Sequence, residues 1–488
     1  MSISRLSSLV SRLQRGDVLI PALVFGGLAL LLVAGLVQLG SFNLRVSRQA
    51  VHRERALHVA ESGVDYYRWH LAHAPTDYQD GTGGPGPYTH QVTDKDGNVI
   101  GQFVLTITPP LVGSTVVTIR SVGTVTANPD VQRIIETRLA IPSLANYAVA
   151  ANDVMRFGSG TEIFGPVHAN GGIHFDGLAH NLVTGSRETY NDPDHAGGDE
   201  FGVHTHVPPV DPAPPNPVPN RPDVFEAGRE FPVPPIDFAA ISGDLAQIKS
   251  DAQASGYYFA NSGVLGYHIV LNTNDTFDLY RVTRLVPIPN GCTEVLGQQG
   301  WGTWSIDTGG EAFIQNSPLP ANGLIFVEDH VWVDGQIDSA RLTVASGRFP
   351  DTAPQRTNVI VNKDLRYTNT DGRDVIGLIA QGNFNVGLVS EDDLRIDAAL
   401  VAQNGRVGRH YYRPPTRNQP RCSPYHIRQI ITLLGMIATN QRYGFAYTDG
   451  TGYQTRNITY DANLQFSPPP SFPLTSSQYQ TISWEEIR

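Results

Sequence analysis

Apolar residues form one unbroken run near the start of the chain. The run begins at Val18 and ends at Leu39, reads VLIPALVFGGLALLLVAGLVQL, and contains no charged side chain. A helix of this length spans about 33 Å, enough to cross the hydrocarbon core of a bilayer. A secretory signal has a shorter apolar region followed by a small-residue cleavage site. The run therefore predicts a retained membrane-spanning helix in contact with the lipid bilayer.

After the run, the apolar positions keep a helical period. They recur at steps of three and four, with Arg53 as the one polar intruder, which is typical of an amphipathic helix. This stripe consists of Val46, Ala50, Leu57, Ala60, Val64, Tyr67 and Leu71. We expect one continuous helix over residues 17–73. Its stripe packs either on the protein's own first domain or on similar helices in a fibre.

Short motifs flank the apolar run on both sides. Gln14-Arg15-Gly16 precedes it, and Glu54-Arg55-Ala56-Leu57 and Ala60-Glu61-Ser62-Gly63-Val64 follow it. Together they resemble the N-terminus of type IV pilus assembly proteins of the minor-pilin class. The resemblance implies cleavage between Gly16 and Asp17 by a prepilin peptidase, and association with other pilin-like helices. Asp17 stands where such chains carry an aromatic residue, and Pro21 stands where major pilins carry glutamate.

Charges around the run bear on its orientation. Arg5, Arg12 and Arg15 precede the run and favour a cytoplasmic N-terminus. Further arginines, including Arg45 and Arg48, follow the run and favour the opposite orientation. Because positive charges stand on both sides of the run, they do not determine its orientation, which we take from the resemblance. It implies a single-pass protein of the cell membrane, with residues 1–16 as a basic cytoplasmic tail. The bulk of the chain is then extracytoplasmic, on the cell surface or on a pilus.

Residues 74–143 are typical of a small antiparallel β domain. Asp96-Gly97 is a strong hairpin signal between two short strands. Segments 102–108, 115–121 and 132–139 alternate or run apolar with β-branched residues. A long helix followed by a few antiparallel strands is the shape expected of a pilin-like domain, which agrees with the resemblance.

Residues 144–466 have a different sequence pattern, in which short predicted strands alternate with corners that contain glycine or asparagine. The triplet Gly-Leu-Ile at 323–325 recurs at 377–379 and is echoed by Ala-Leu-Val at 399–401. Such a chain can bury its inward residues by coiling into a parallel β-helix, or β-solenoid. The alternative is an antiparallel sandwich, although two-residue hairpin turns are scarce. Through residues 393–405 the segment resembles solenoid domains of surface pilus-associated proteins and, more faintly, the polymer-forming bactofilins.

Two proline-rich stretches interrupt this pattern, residues 206–235 and the arginine- and proline-rich residues 411–425, of which the second predicts a loop. Residues 206–235 predict a linker or loop without a packed core, and residues 236–255 have a helical period that predicts a cover at the solenoid edge. Together they form an insertion over residues 206–255. Residues 467–488 begin with a proline cluster that cannot add ladder hydrogen bonds, and they predict an extended tail anchored by Trp484.

Composition limits the number of domains, the kinds of partner and the role of the cysteines. The chain of 488 residues can hold two or three domains, and its 48 glycines and 35 prolines favour strands and turns. A net charge of −11 argues against a nucleic-acid partner. The two cysteines, Cys292 and Cys422, form no metal or redox motif. They either pair in a disulfide or stay as two unpaired buried thiols.

Histidines cluster before the first proline-rich stretch. Six of the 15 lie between His168 and His206, interleaved with acids. His204 and His206, two positions apart on a strand, would place both imidazoles on one face, which a metal ion could use. However, no third ligand lies at a spacing that is typical of metal sites, and histidines that point outward from a strand are common. We therefore expect no metal ion or other cofactor. Acids at 192, 194, 199 and 200 could bind calcium but lack the ligand alternation of a known loop.

A β-helix also raises the alternative of a membrane-tethered enzyme acting on polysaccharide. Its best acidic cluster contains Glu391, Asp392 and Asp393 with Arg395 and Asp397, but this cluster suits a solvated corner better. The sequence contains neither a Gly-x-Ser-x-Gly nucleophile elbow nor a lysine-bearing phosphate loop. We therefore expect a non-enzymatic surface protein that presents a solenoid for adhesion or assembly, binding a surface polysaccharide or protein. A polymerising solenoid scaffold is the third alternative.

Overall fold

The computed structural model describes residues 18–111, 114–238, 241–465 and 467–487. These residues fall into two compact units. The small unit contains the chain up to Thr108, Thr118–Arg138, and Ser483 onward; the large unit contains Pro109–Val117 and Leu139–Ile482. The predicted basic tail and the predicted cleavage site at Gly16 and Asp17 lie outside the described residues.

A single helix opens the small unit. This helix, α1 (Leu19–His73), is 55 residues long and continuous, which confirms the predicted long apolar helix. Pro21 lies in its first turn, where a missing N–H breaks no helical hydrogen bond. The first half of α1 is apolar and exposed, and within the described part of the chain α1 is the one helix long and apolar enough to cross a membrane.

The second half of α1 is buried along one stripe. Val46 and Ala50, predicted to belong to this stripe, are exposed, because the sheet of the small unit covers the helix only from Ala56 onward. The lower part of the predicted stripe is buried as expected. The buried residues are Ala56, Val59, Ala60, Gly63, Val64, Tyr67 and Leu71.

The sheet of the small unit has five strands. Four are β1 (Tyr88–Thr93), β2 (Val99–Thr108), β3 (Val117–Val125) and β4 (Asn128–Ala140), and the fifth is the C-terminal strand, Gln480–Ile487. The strands lie in that order, and β2 pairs antiparallel with both β1 and β3. The prediction of an extended tail over residues 467–488 is therefore wrong for its last part. The prolines end at 473, so residues after them keep the N–H groups that a ladder needs. Trp484 is half-exposed.

Two glycines allow α1 to lie very close to this sheet. A Cβ atom on Gly123 would stand 2.2 Å from the carbonyl oxygen of Ala56 and 2.4 Å from the amide nitrogen of Ala60. A Cβ atom on Gly63 would stand 2.3 Å from Oγ of Ser121. The Ala-Glu-Ser-Gly motif of the sequence is thus the place where helix backbone and sheet backbone meet.

The large unit is rich in short strands. Its one α-helix among the described residues is α2 (Ile241–Ser255), and 3₁₀ turns lie at Leu144–Asn146, Ala353–Gln355 and Ala462–Gln465. The strands are β5 (Val149–Ala151), β6 (Met155–Phe157), β7 (Glu162–Ile163), β8 (Val167–Ala169), β9 (Ile173–Phe175), β10 (Leu178–Ala179), β11 (Val183–Gly185), β12 (Thr189–Asn191), β13 (Asp199–Phe201), β14 (Val203–His204), β15 (Arg229–Glu230), β16 (Tyr257–Phe259), β17 (Gly266–Asn272), β18 (Thr276–Val282), β19 (Glu311–Pro318), β20 (Leu324–Val327), β21 (Val331–Ile337), β22 (Arg341–Ser346), β23 (Val359–Ile360), β24 (Leu365–Tyr367), β25 (Val375–Ala380), β26 (Phe384–Val386), β27 (Asp393–Ala402), β28 (Val407–Arg409), β29 (Ile427–Thr439) and β30 (Gly452–Tyr460).

Most of these strands pair in parallel with a strand from the next turn of the chain. The triplet at 377–379 and its echo at 399–401 are register partners, since Gly377 lies opposite Ala399 and Leu378 opposite Leu400. The triplet at 323–325 is shifted by one residue, because Ile325 aligns through Val344 with Leu378. One inward residue from each of five successive strands forms a fully buried column: Ile325, Val344, Leu378, Leu400 and Ile437. Antiparallel pairs also occur, between β12 and β13 and among β17, β18 and β19.

The order of the strands in space differs from their order in the sequence. Strand β5 pairs in parallel with β29, so that Val149 lies opposite Ile437, nearly 290 residues away. The first strands of the large unit therefore continue the stack where the last ones end. We call residues 149–230 the N-block and residues 257–460 the C-block. Helix α2 connects them in sequence, and its buried Leu245, Ile248 and Ala252 pack on a face of the C-block.

The proline-rich stretch is not the coreless linker that its composition predicts. Val224 and Phe225 are 1% exposed and belong to the hydrophobic core of the N-block. Within that core the ring centroid of Phe175 lies 4.7 Å from that of Phe157 and 5.8 Å from that of Phe225. Asp211 is buried in the same stretch and forms an ion pair with Arg229. This buried ion pair also stabilises the stretch.

Candidate functional site

Three histidines of the N-block converge on one place. His174 on β9 and His204 on β14 are register partners on neighbouring parallel strands, and their ring centroids lie 4.8 Å apart. His206 follows β14, with its ring centroid 4.3 Å from that of His174 and 5.0 Å from that of His204. One nitrogen from each of the three rings lies within 4.8 Å of the others. We call these residues the inner histidine group.

Strand alternation explains why the inner group forms. Ile173 and Val203 are fully buried in the N-block core, so the next residue on each strand points to the opposite face. That face is covered, and His174 and His204 are 2% and 0% exposed. Such burial is unusual for imidazoles at outward positions, which makes this cluster the most distinctive polar feature of the large unit.

Carboxylates surround His174 on both sides. Its Nδ1 lies 2.7 Å from Oδ2 of Asp192, and its Nε2 lies 2.8 Å from Oδ2 of Asp176. The same Asp192 oxygen is 3.6 Å from Nε2 of His204. Asp176 also accepts a hydrogen bond of 2.8 Å from the backbone N–H of His206, which fixes the chain after β14. Among the described residues, neither ring nitrogen of His204 has a hydrogen-bond partner.

A second, outer group shares one histidine with the first. His195 Nδ1 lies 3.5 Å and His206 Nε2 lies 3.8 Å from Oε1 of Glu200. The ring centroids of His195 and His206 are 4.6 Å apart. The side chain of His195 is 43% exposed, whereas that of His206 is 21% exposed. The cluster thus runs from a buried centre at His204 to the protein surface at His195.

Electrostatics favour the neutral form of two members of the inner histidine group, His204 and His206. Burial, with the neighbouring His174 and His206 next, lowers the pKa of His204 to about 4, so its ring is neutral at pH 7. Burial and the same kind of neighbours also lower the pKa of His206. Burial raises the pKa of Asp192, but hydrogen bonds from the Asp194 backbone and His174 outweigh it, so the net pKa is lowered. Neutral imidazoles beside an ionised carboxylate are metal-ligand forms.

A buried ion cluster holds the segment on which His204 and His206 lie. The backbone N–H of Thr205 donates a hydrogen bond of 3.1 Å to Oδ2 of Asp211. That carboxylate also pairs with Arg229 and with Arg221, whose Nη1 is 3.4 Å from Oδ1. The two arginine side chains are each 5% exposed, and that of Asp211 is fully buried. Both the Pro-rich stretch and the histidine segment are therefore fastened to one carboxylate.

The spacing along the sequence does not connect His174 with the predicted pair, His204 and His206. His174 stands 30 positions before His204 and meets it only because β9 and β14 are neighbours in the stack. A signal was present in the repeated apolar-histidine dipeptide, Ile173-His174 and Val203-His204. The suggested calcium ligands are not gathered in this way, since Asp194 pairs with Arg442 at 2.7 Å.

The acidic cluster considered for catalysis lies in the C-block and is engaged in contacts between strands. Asp397 is fully buried and its Oδ1 is 2.9 Å from Nε of Arg395. Asp392 pairs with Arg428 at 2.6 Å. Glu391 accepts a backbone hydrogen bond of 2.9 Å and, because of burial above all, has a raised pKa. Arg395 lies on the same strand as Asp397, but Oδ2 of Asp397 also accepts a hydrogen bond of 3.0 Å from the backbone N–H of Tyr367 on β24. Each of these three acids therefore also contacts another turn of the chain.

The two cysteines are joined. Cys292 and Cys422 form a disulfide bond across 130 positions of sequence. Both are fully buried, in a small cluster with Leu388 and Tyr412. The bond ties the loop after β18 to the loop after β28, on the outside of the C-block.

A polar cleft of about 450 Å³ lies beside this loop region. Its wall carries amide side chains from successive turns, Asn358, Asn383 and Asn404, together with the indole of Trp304 and the guanidinium of Arg356. Among the described residues that line it, none is an aspartate or glutamate. These amides also connect the turns, since Oδ1 of Asn358 accepts the backbone N–H of Asn383 at 2.8 Å and Oδ1 of Asn383 accepts that of Arg406 at 2.9 Å.

Comparisons with known proteins add little to this picture. No family model matches the sequence, and no curated protein matches it either. The chain is similar to the crystal structure of the competence-associated pilin ComZ from Thermus thermophilus, at 12% sequence identity, over 89% of this chain and 98% of that one. The TM-score of this similarity is 0.25, a value too low to carry an argument about the fold.

Proposed function

We propose that the protein is a membrane-anchored surface protein of the type IV pilus minor-pilin kind, without catalytic activity. The observation that carries this proposal is α1, which is one unbroken helix with an apolar exposed first half and a second half packed on an antiparallel sheet. An exposed apolar surface of this length is unstable in water and stable in a bilayer or among similar helices. The N-terminus is then cytoplasmic, and the part of the chain that follows the apolar run is extracytoplasmic.

The close helix-sheet contact supports the pilin-like assignment. Ala56, Ala60 and Gly63, all within the motifs that resemble minor pilins, are the small residues that meet Gly123 and Ser121. A helix held so closely on its own sheet leaves its upper, apolar half as a rigid rod. That rod has the geometry needed to insert into a membrane and to pack beside other pilin-like helices.

We further propose that the parallel stack of the large unit is a β-solenoid that serves adhesion. Its support is the in-register column of buried residues and the polar cleft on its side. The cleft combines Trp304 with a row of amides, and this chemistry fits a surface polysaccharide. The engagement of Asp392 and Asp397 with arginines favours binding over hydrolysis, because a glycosidase needs a free carboxyl pair.

A pair of arginine substitutions on α1 tests the anchor. Leu32→Arg lies in the apolar run and is expected to lower the share of the protein recovered in the membrane fraction, since arginine at a bilayer centre costs about 2.5–3.5 kcal/mol. The matched control is Val51→Arg, which is also exposed on α1 but lies beyond the run. It is expected to stay in the membrane fraction. Equal fractionation of both variants with the unmodified protein would contradict the anchor.

The pilin-like processing is tested separately, by intact mass. Purified native protein is expected to lack residues 1–16, with Asp17 as its first residue. Protease added to whole cells is expected to digest the large unit. A full-length mass would remove the prepilin interpretation and leave the anchor in place, whereas an undigested large unit would remove the surface location.

A further inference from the structure

We propose that the inner histidine group binds one divalent transition-metal ion of the zinc type, held by His174, His204 and His206 with Asp192 as the fourth ligand. Three imidazoles and one carboxylate are a donor set that zinc accepts in proteins. The ligand atoms of tetrahedral zinc stand about 3.3 Å apart, from bonds of about 2.0–2.1 Å. The three nitrogens already lie within 4.8 Å of one another, so small ring rotations close the site.

The strongest observation is the state of His204. Its ring is fully buried, and both of its nitrogens lack a hydrogen-bond partner among the described residues. Leaving a polar atom buried without a partner is unfavourable, and a metal bond removes this penalty for one nitrogen. Its nearest charged neighbour is Asp192, whose Oδ2 lies 3.6 Å from Nε2 of His204, beyond hydrogen-bond distance.

The surroundings of His174 match a metal ligand. Metal-bound histidines commonly donate their second N–H to a carboxylate, which orients the ring. Asp176 is placed to receive this bond from Nε2, at 2.8 Å. Nδ1 forms a hydrogen bond of 2.7 Å with Oδ2 of Asp192, which also lies 3.6 Å from Nε2 of His204. A bound ion would replace the proton of this hydrogen bond and contact both atoms. The carboxylates thus have separate roles, in which Asp192 is a ligand and Asp176 positions a ligand.

The fold offers both a path to the site and a use for the ion. The outer group, from His206 to the half-exposed His195, leads from the centre to solvent. Asp192 belongs to the loop between β12 and β13, whereas the three histidines lie on or directly after strands of the stack. A bound ion would therefore fasten this hairpin to the stack. The site is a structural clamp rather than a reaction centre.

Metal titration of the full chain tests the proposal. The protein, purified in detergent without a histidine tag and stripped with EDTA, is titrated with Zn²⁺ by calorimetry and with Co²⁺ by visible spectroscopy. We expect one ion per chain and the visible bands of tetrahedral Co²⁺. His204→Ala is expected to remove binding. Asp176→Asn is expected to weaken it about 10- to 100-fold, as changes next to metal ligands do.

The matched control is His330→Ala. His330 lies in the C-block and has a pKa lowered to about 4 by burial, as His204 has, but it belongs to neither histidine group. This variant should bind zinc like the unmodified chain. Because His204→Ala could misfold, the partly exposed His206→Gln is measured beside it, with circular dichroism as the check on folding. The proposal is overturned if the stripped chain binds no ion, if folded His206→Gln binds normally, or if His195→Ala abolishes binding as fully as His204→Ala does.

Discussion

The two blocks of the parallel stack are held together in different ways. Strands of the C-block are often long, and β27 and β29 extend over 10 and 13 residues. Strands of the N-block have only two or three residues each. A short strand buries little apolar surface, and the hydrophobic contribution grows with buried area, at roughly 25 cal/mol per Å². The N-block compensates with charged and polar contacts among its side loops.

This difference shows that a stack of strands need not have one source of stability along its length. In the C-block, fully buried columns of leucine, isoleucine and valine run from turn to turn. In the N-block, Asp211, the inner histidine group and Asp194 hold loops onto a smaller apolar core. Polar contacts are more sensitive than apolar ones to single substitutions, because removing one partner leaves another buried and unsatisfied.

Removing the Asp211 carboxylate should have the largest effect. Asp211→Ala leaves the buried guanidinium of Arg229 without its partner and weakens that of Arg221, and breaking a buried ion pair costs about 3–5 kcal/mol. We expect a loss of about 5 kcal/mol in unfolding free energy, measured by denaturant titration. Limited proteolysis should then cut within residues 206–235 while the C-block stays intact.

Asp223 provides the control for this prediction. Its side chain also pairs with Arg221, at 2.7 Å, but is 52% exposed. Exposed ion pairs contribute about 0–1 kcal/mol, so Asp223→Ala should have little effect. If the two variants lose equal stability, the N-block does not depend on its buried charges, and the contrast between the blocks is wrong.

Loss of the disulfide should rank next. The bond closes a loop of 130 positions, and the chain-entropy model gives at least about 4 kcal/mol for a loop of this size. The double variant Cys292→Ser, Cys422→Ser should lose about 4 kcal/mol, with the damage confined to the C-block in proteolysis. Alkylation of the unreduced protein should add no mass. Addition of two alkyl groups would mean that the thiols are free.

A histidine of the C-block should give a smaller, pH-dependent effect. Burial lowers the pKa of His268, but hydrogen bonds to Asp334 and Glu311 outweigh it and raise the pKa to about 9; Tyr280 also faces this ring. Because the folded pKa exceeds the ordinary value of about 6.5, this stabilisation is complete below pH 6.5 and is lost as the pH rises through 9.

We therefore expect the unfolding free energy to fall by about 3 kcal/mol between pH 6.5 and pH 10, from a shift of about 2.5 pKa units. In His268→Gln this part of the pH dependence should disappear, which denaturant titrations at several pH values would measure. An unchanged slope in the variant would assign the effect to another group.

The sequence predicts local features well and distant neighbours poorly. The long apolar helix follows directly from its run of uncharged residues, and the recurring triplets at 377 and 399 are true register partners. The pairing of β5 with β29 has no local signal, because two short apolar strands carry no information about which of many similar strands they join.

The same reason explains what was missed at the candidate site. His204 and His206 are noticeable because they are close in sequence, whereas His174 becomes their neighbour only through the stacking of β9 on β14. The prediction of a coreless linker in the Pro-rich stretch is wrong because it rests on average composition, which prolines dominate. Val224 and Phe225, two residues of this stretch, belong to the N-block core. Average composition describes a segment as a whole and cannot reveal a single buried dipeptide within it.

The pairing of β5 with β29 also sets the order of events during biosynthesis. The edge of β5 leaves the ribosome long before its partner has been translated, and an unpaired strand edge is prone to join the wrong chain. The N-block must wait, incomplete, until nearly the whole polypeptide has been delivered. Under the proposed extracytoplasmic location, the two blocks would complete their docking only after translocation of the chain is almost finished.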